Sequence, residues 1–186
     1  MENKYQVFCS LVKEQFTYGA EKYKADNQKE VTDILCDDFG FPGLFWTLGK
    51  YCKRFGNQKR ERDVLKIACY MYIVWLKYGY HVYEWGSDKL LNTNLEMKKQ
   101  NWEKFLAEHE RWAEEDRGIT QFERTIADVY VEIELFYKLS LYDHAIAGKA
   151  AFARIHWVFA LCYTVWHKVF AENYSQINVV KKDEKS

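Results

Sequence analysis

The sequence predicts an all-α fold, a compact helical bundle of about six to seven helices, on three observations. Proline occurs once, at Pro42, and glycine nine times in 186 residues, too few turn residues for a β-sandwich or barrel. Apolar residues recur at spacings of three and four along most of the chain. The segment from about Arg60 to Tyr78 is apolar on most of its surface, with Val64, Leu65, Ile67, Ala68, Met71, Tyr72, Val74 and Trp75. A helix of that kind belongs in the middle of a bundle.

The first helix is expected from about Lys4 to Tyr18, with Tyr5, Phe8, Leu11, Val12 and Phe16 on one face. Asn27 and Glu30 have the spacing of an N-cap and its reciprocal partner, opening a short helix to about Asp37. Gly40-Phe41-Pro42-Gly43 reads as a turn, and Pro42 opens the next helix, which runs to Phe55. After the central helix, Gly79 to Asn92 is a loop that separates two halves, 1–79 and 93–175, of one domain spanning 1–186. Thr93 with Glu96, and then Thr120 with Glu123, have capping-box spacing before helices at about 94–115 and up to about Leu139. Asp116-Arg117-Gly118 separates these two. Asp143 can cap the last long helix, which carries Phe152, Ile155, Val158, Phe159, Cys162 and Val165 to Phe170. Residues 176–186 form a frayed charged tail.

Composition removes several functional classes. Twenty-seven basic and twenty-seven acidic residues give a net charge of zero, so no global field would hold nucleic acid or an anionic membrane. The most basic run, Lys50 to Arg62, nevertheless carries Lys50, Lys53, Arg54, Lys59, Arg60 and Arg62. The longest uncharged apolar run, Ile67 to Leu76, is ten residues and too short for a membrane span. Met1-Glu2-Asn3-Lys4 leads into a mixed polar helix without a signal-peptide pattern. The five cysteines, at 9, 36, 52, 69 and 162, have no CxxC or metal spacing and read as buried thiols of a reducing, cytoplasmic compartment.

His156 and His167 share a helix face but lie about 16 Å apart, and no Glu precedes a His by three residues, so no di-iron signature is present. There is no Walker-type phosphate loop and no nucleophile elbow. What remains is a pair of polar stripes. Lys50 and Arg54 are four residues apart and share one face. Asp63, Lys66 and Tyr70 recur at three and four on the next helix, across the turn Gly56-Asn57-Gln58-Lys59. Facing stripes of this kind make either a small-anion site or an ordinary solvated helix end. Glu30 and Asp33, with Glu61 and Asp63, are the carboxylates that could hold Mg²⁺. A second set, Glu110 with Glu114 and Asp128 with Glu132, reads mainly as wet helix faces. Arg54 either meets a phosphate or pairs with Glu61 or Asp63 across the turn.

The motif Lys50-Tyr51-x-x-Arg54-x-Gly56, followed by Asp63-x-x-Lys66-x-x-x-Tyr70, resembles the small helical domain of phage nucleotide-metabolism proteins. Gly19-Ala20-x-Lys22-Tyr23-x-x-x-Asn27 is similar to a run in phage MazG-like deoxynucleotide diphosphohydrolases, with Gln28 where Trp is usual. The resemblance covers about residues 18–75. It implies Mg²⁺-dependent removal of pyrophosphate from a nucleoside triphosphate, or another nucleotide-directed step. In that scheme Lys50, Arg54, Lys66 and Tyr70 bind substrate, Glu30 and Asp33 hold the metal, and Glu61 and Asp63 act in catalysis. The family's paired acidic motifs are incomplete here, since Glu61 has Val64 and Asp63 has Lys66 at the third following position. That departure weakens catalysis before ligand binding.

The alternative is a non-enzymatic helical interaction protein, such as a phage inhibitor or assembly subunit, with a protein partner or a second copy of itself. Its basis is the large aromatics on helices with mixed charged faces, including Trp102, Trp112, Trp157 and Trp166. Nucleic-acid binding through Lys50 to Arg62 is the weakest expectation, given zero net charge.

Overall fold

In the computed structural model, residues 4–24, 31–76, 95–115, 123–140 and 144–174 are described. They form six long helices and no strand: α1 Lys4–Lys24, α2 Val31–Gln58, α3 Glu61–Val74, α4 Leu95–Glu115, α5 Ile126–Ser140 and α6 His144–Phe170. A short 3₁₀ turn, Ala171–Tyr174, follows α6. The all-α bundle expected from the sequence is therefore the observed fold.

α3 occupies the centre. Its buried residues run almost all round the helix, from Asp63, Val64 and Leu65 to Tyr72, Ile73 and Val74. It packs against α1, α2, α4 and α6, while α5 lies outside against α2 and α6. Each neighbour presents a stripe at helical spacing: Phe8, Val12 and Phe16 from α1, and Leu44, Leu48, Tyr51 and Phe55 from α2. α4 contributes Trp102, Phe105 and His109, and α6 contributes Ile155, Phe159, Cys162 and Trp166. Burying one large apolar side chain is worth about 1.5–3 kcal/mol, so these stripes outweigh local propensity.

Most of the aromatic excess is spent here. Tyr72 meets Trp102 edge-on at 4.8 Å, and Phe105 meets Phe159 edge-on at 5.0 Å. Two polar bonds pin α4 to α3: the Tyr72 hydroxyl donates to the Lys98 carbonyl, and Trp75 Nε1 donates to Glu108 Oε2 at 3.0 Å. α2 and α5 run antiparallel, with Phe45 stacked on Tyr137 at 4.5 Å near one end and Gly56 facing Ile126 near the other. An Arg154–Glu132 ion pair joins α6 to α5. Cys9, Cys52, Cys69 and Cys162 are buried free thiols. No helix among the described residues is long and apolar enough to cross a membrane.

Three boundaries differ from expectation. α1 continues past Tyr18 to Lys24, through Gly19. α2 is continuous through Gly40-Phe41-Pro42-Gly43, where the sequence suggests a turn between two helices. Proline in a helix interior costs about 3 kcal/mol, a local penalty smaller than the sum of the burial of Leu44, Leu48, Tyr51 and Phe55 that the same helix secures. α5 starts at Ile126, after a non-helical stretch at 123–125, and is capped at Thr125: the Thr125 N–H donates to Asp128 Oδ2 at 2.7 Å, and its hydroxyl donates to the same oxygen at 3.0 Å. That bonding holds the Asp128 carboxyl below its ordinary range, the Thr125 N–H being the main cause. Asn27, Thr93, Thr120, Asp143, the loop at 79–92 and the tail at 176–186 lie outside the described residues.

Two histidines sit in the core between α4 and α6. His109 and His156 are 2 % and 1 % exposed and stack at 5.5 Å, enclosed by Tyr5, Phe105, Trp112 and Phe159. Burial pushes His109 down to about 3, with His156 adding to the shift, and burial alone takes His156 down to about 4. The fold therefore keeps both rings neutral, while the unfolded chain takes up protons below the ordinary value of 6.5. Stability should be complete above about pH 6.5 and fall as pH drops toward 4, by about 3 kcal/mol for each ring. Urea titrations across that range should show the loss, and His109→Phe should remove about half of the pH slope. An unchanged slope in that variant would mean that other groups govern the acid response.

Candidate functional site

The second half of α2 and the first half of α3 form a hairpin whose turn is two residues long. Lys59 closes α2 with a left-handed backbone, φ 48°, and its N–H donates to the Phe55 carbonyl at 2.8 Å. The Asp63 N–H then donates to the Arg60 carbonyl at 2.9 Å, starting α3. This tight connection brings the two polar stripes face to face.

Asp63 is 0 % exposed and is met by Arg54. Arg54 Nε donates to Oδ2 at 2.8 Å and Oδ1 at 3.0 Å, and Nη2 also donates to Oδ1. The guanidinium is pushed above its ordinary value, chiefly by these hydrogen bonds. Of the two partners the sequence offered Arg54, Asp63 is the one it takes.

Tyr51 is the hub of the remaining groups. Its ring is buried and stacks on Tyr70 at 5.9 Å and 22°. Lys66 Nζ donates to the Tyr51 hydroxyl at 3.3 Å. The cationic groups of Lys50, Arg54 and Lys66 lie 5.0, 5.1 and 5.2 Å from its centroid. The structure thus brings Lys50, Arg54, Lys66 and Tyr70 together, as the spacing suggested. Arg54 is neutralised by Asp63, but among the described residues Lys50 and Lys66 have no carboxylate partner. Positive charges that share one ring repel each other, and an anion at the exposed edge of the cluster would relieve that repulsion.

The acidic residues are placed differently. Glu61 turns inward, accepting from Trp166 Nε1 at 2.7 Å and from the Tyr174 hydroxyl at 3.0 Å. Desolvation, with the Glu61 hydrogen bond second, pushes Tyr174 up to about 12. Asp33 is twenty-one residues before Arg54 on the same continuous helix, about 30 Å along its axis. Glu30 lies outside the described residues. Mg²⁺ needs several free oxygen ligands converging on one point. Asp63 and Glu61 already accept hydrogen bonds on both oxygens, and Asp33 is remote, so these residues do not fit that ion as placed. No group of three or more His, Cys, Asp or Glu among the described residues could hold a metal. In the downstream set, Asp128 serves the α5 cap and Glu132 serves Arg154, while Glu110 is exposed on α4.

The tryptophans named as interface candidates are largely internal. Trp102 and Trp166 are 2 % and 0 % exposed, and Trp112 packs edge-on against Trp157 at 5.7 Å, both half-buried. They follow the core stripes of α4 and α6. Among the described residues the most exposed ring is Trp46, at 79 %, with Tyr18 and Tyr130 exposed to a lesser degree. Its position was readable: helical spacing sets Trp46 with Lys50, Lys53 and Asn57, on the face away from Leu44, Leu48 and Phe55.

Removing Arg54 should leave a buried carboxylate uncompensated. Breaking a buried pair costs about 3–5 kcal/mol, and Arg54 is a third exposed, so Arg54→Ala should lose about 2–3 kcal/mol in urea denaturation. Arg54→Lys should recover part of this, because a point charge replaces a planar fork. Replacing both partners, Arg54→Met with Asp63→Leu, should cost less than Arg54→Ala alone. A loss in the double variant equal to the sum of the losses of Arg54→Met and Asp63→Leu made singly would show that the pair is not coupled.

Comparison with protein families, curated proteins and solved structures finds no match, which leaves the chemistry of the Tyr51 cluster as the ground for a functional argument.

Proposed function

We propose that this chain binds a nucleotide, with Lys50 and Lys66 meeting phosphate oxygens at the Tyr51–Tyr70 platform. The observation that carries the reading is the pair of lysines drawn to one buried ring with no carboxylate among the described residues to balance them. Charge-assisted N–H donors suit phosphate, and lysines serve as point charges that follow a flexible polyphosphate. The half-buried Tyr70 ring, stacked on Tyr51, offers an aromatic border for a base or ribose. The resemblance of residues 18–75 to phage nucleotide-metabolism proteins supplies the ligand class, and a cytoplasmic setting agrees with it.

Within this reading binding comes before hydrolysis. Asp63 and Glu61 are committed to Arg54, Trp166 and Tyr174, so a metal would have to displace four hydrogen-bonding contacts or more to use them. Arg54 is a positioning residue: it holds α3 in register, so that Lys66 and Tyr70 face Tyr51.

The test is a panel of ribo- and deoxynucleoside mono-, di- and triphosphates, read by calorimetry with and without Mg²⁺, with pyrophosphate followed in parallel. Triphosphates should bind more tightly than monophosphates, and Lys66→Ala and Lys50→Ala should each weaken binding by about tenfold. No binding across the panel would end the reading. Mg²⁺-dependent pyrophosphate release that is lost on Asp33→Asn would instead make the protein a pyrophosphohydrolase of the MazG-like kind.

A further inference from the structure

The exposed face of α2 sets Trp46 and Lys53, which the Tyr51 site does not use, in line with Lys50, which it does. Trp46 is 79 % exposed, and Lys50, Lys53 and Asn57 follow it along the same face at steps of one turn. Successive side chains on that line are about 5–6 Å apart. At the foot of the helix the α2–α3 turn adds two more exposed cations, Lys59 and Arg60, with Lys59 on the Phe55 side and so off the Trp46 line. Lys59 lies over the Phe55 ring at 5.2 Å and Arg60 reaches Gln58 at 3.5 Å. Among the described residues none of Lys50, Lys53, Lys59 and Arg60 pairs with a carboxylate. The two carboxylates nearest in sequence, Glu61 and Asp63, face inward. A chain with equal numbers of acidic and basic residues thus carries a segregated positive stripe headed by a bare indole.

We propose that the face carrying Trp46, Lys50 and Lys53, with Lys59 and Arg60 of the adjoining turn, binds single-stranded nucleic acid. A single strand alternates phosphates with π-faces, and the face offers cations in a row with an aromatic platform at one end. Stacking on an indole needs no particular base, so the recognition is sequence-tolerant. A protein partner fits less well, because protein interfaces are depleted in lysine around their aromatic anchors, and here lysines directly follow the anchor. The inference rests on the anion reading of the Lys50 cluster and extends it from one nucleotide to a chain of them.

The experiment uses the full chain and a fluorescein-labelled twenty-residue oligothymidylate, followed by anisotropy from 50 to 300 mM salt, beside calorimetry with thymidine triphosphate. Binding should fall with salt along a log–log slope of about −3, as for roughly four phosphate contacts on a single strand. Trp46→Ala should weaken oligonucleotide binding by about tenfold, and Lys53→Ala should reduce the slope, with both leaving triphosphate binding unchanged. Triphosphate binding without oligonucleotide binding would overturn this inference and leave the nucleotide reading intact. Failure of both ligands would overturn the two together. Concentration-dependent dimerisation in sedimentation, abolished by Trp46→Ala and insensitive to oligonucleotide, would overturn it in favour of a protein interface.

Discussion

A carboxylate with no solvent access in the first turn of the central helix has to be neutralised, and Arg54 neutralises it from the neighbouring helix. The meeting of α2 and α3 around Tyr51 depends on that pairing. The planar fork accepts one register between α2 and α3. That register puts Tyr51 opposite Lys66 and Tyr70, and it leaves Lys50 to share the ring from the α2 side. Because the guanidinium is used by Asp63, the cations left for an external anion are the lysines. Arg54 is thus committed to the fold, while Lys50 and Lys66 carry the charge that no carboxylate balances among the described residues.

The central helix was legible because it is apolar almost all round, a pattern that has no stable place except an interior. The meeting of Lys50, Arg54, Lys66 and Tyr70 was legible as well, from two stripes at helical spacing joined by a connection too short to let them part. Whether Arg54 faced a ligand or a carboxylate was not, since the choice depends on the burial of Asp63, a property of four packed helices and not of local spacing. The Pro42 segment misled for a related reason. Turn residues speak for a few positions, whereas the continuity of α2 is decided by side chains one to four turns further on. Thr125 escaped notice because Asp128 takes the role usually given to Glu, and its shorter side chain still reaches the cap.

The aromatic content serves two locations, although Tyr51 and Phe55 of α2 and Phe136 of α5 are buried with the core. Rings at α1, α3, α4 and α6 interlock around Phe105, Tyr72 and Phe159 and bring two imidazoles with them. Four rings where α2 meets α5 follow another pattern: Phe45, Tyr130 and Tyr137 lie against one another near the surface, and Trp46 stands beyond them. One composition therefore serves two purposes, a dense interior and an accessible edge. Position on the helix, and not residue type, separates them.

Glu61 binds Trp166 and Tyr174, residues 105 and 113 positions later in the chain. On the ribosome the α2–α3 hairpin emerges long before those partners exist. During that interval the acidic start of α3 has neither of the two donors that later hold it, and the apolar flank of α3 that packs on α6 is bare. The cationic hairpin is thus among the early parts of the protein to be synthesised and among the last to be locked in place. Its completion is timed by the arrival of the C-terminal helix.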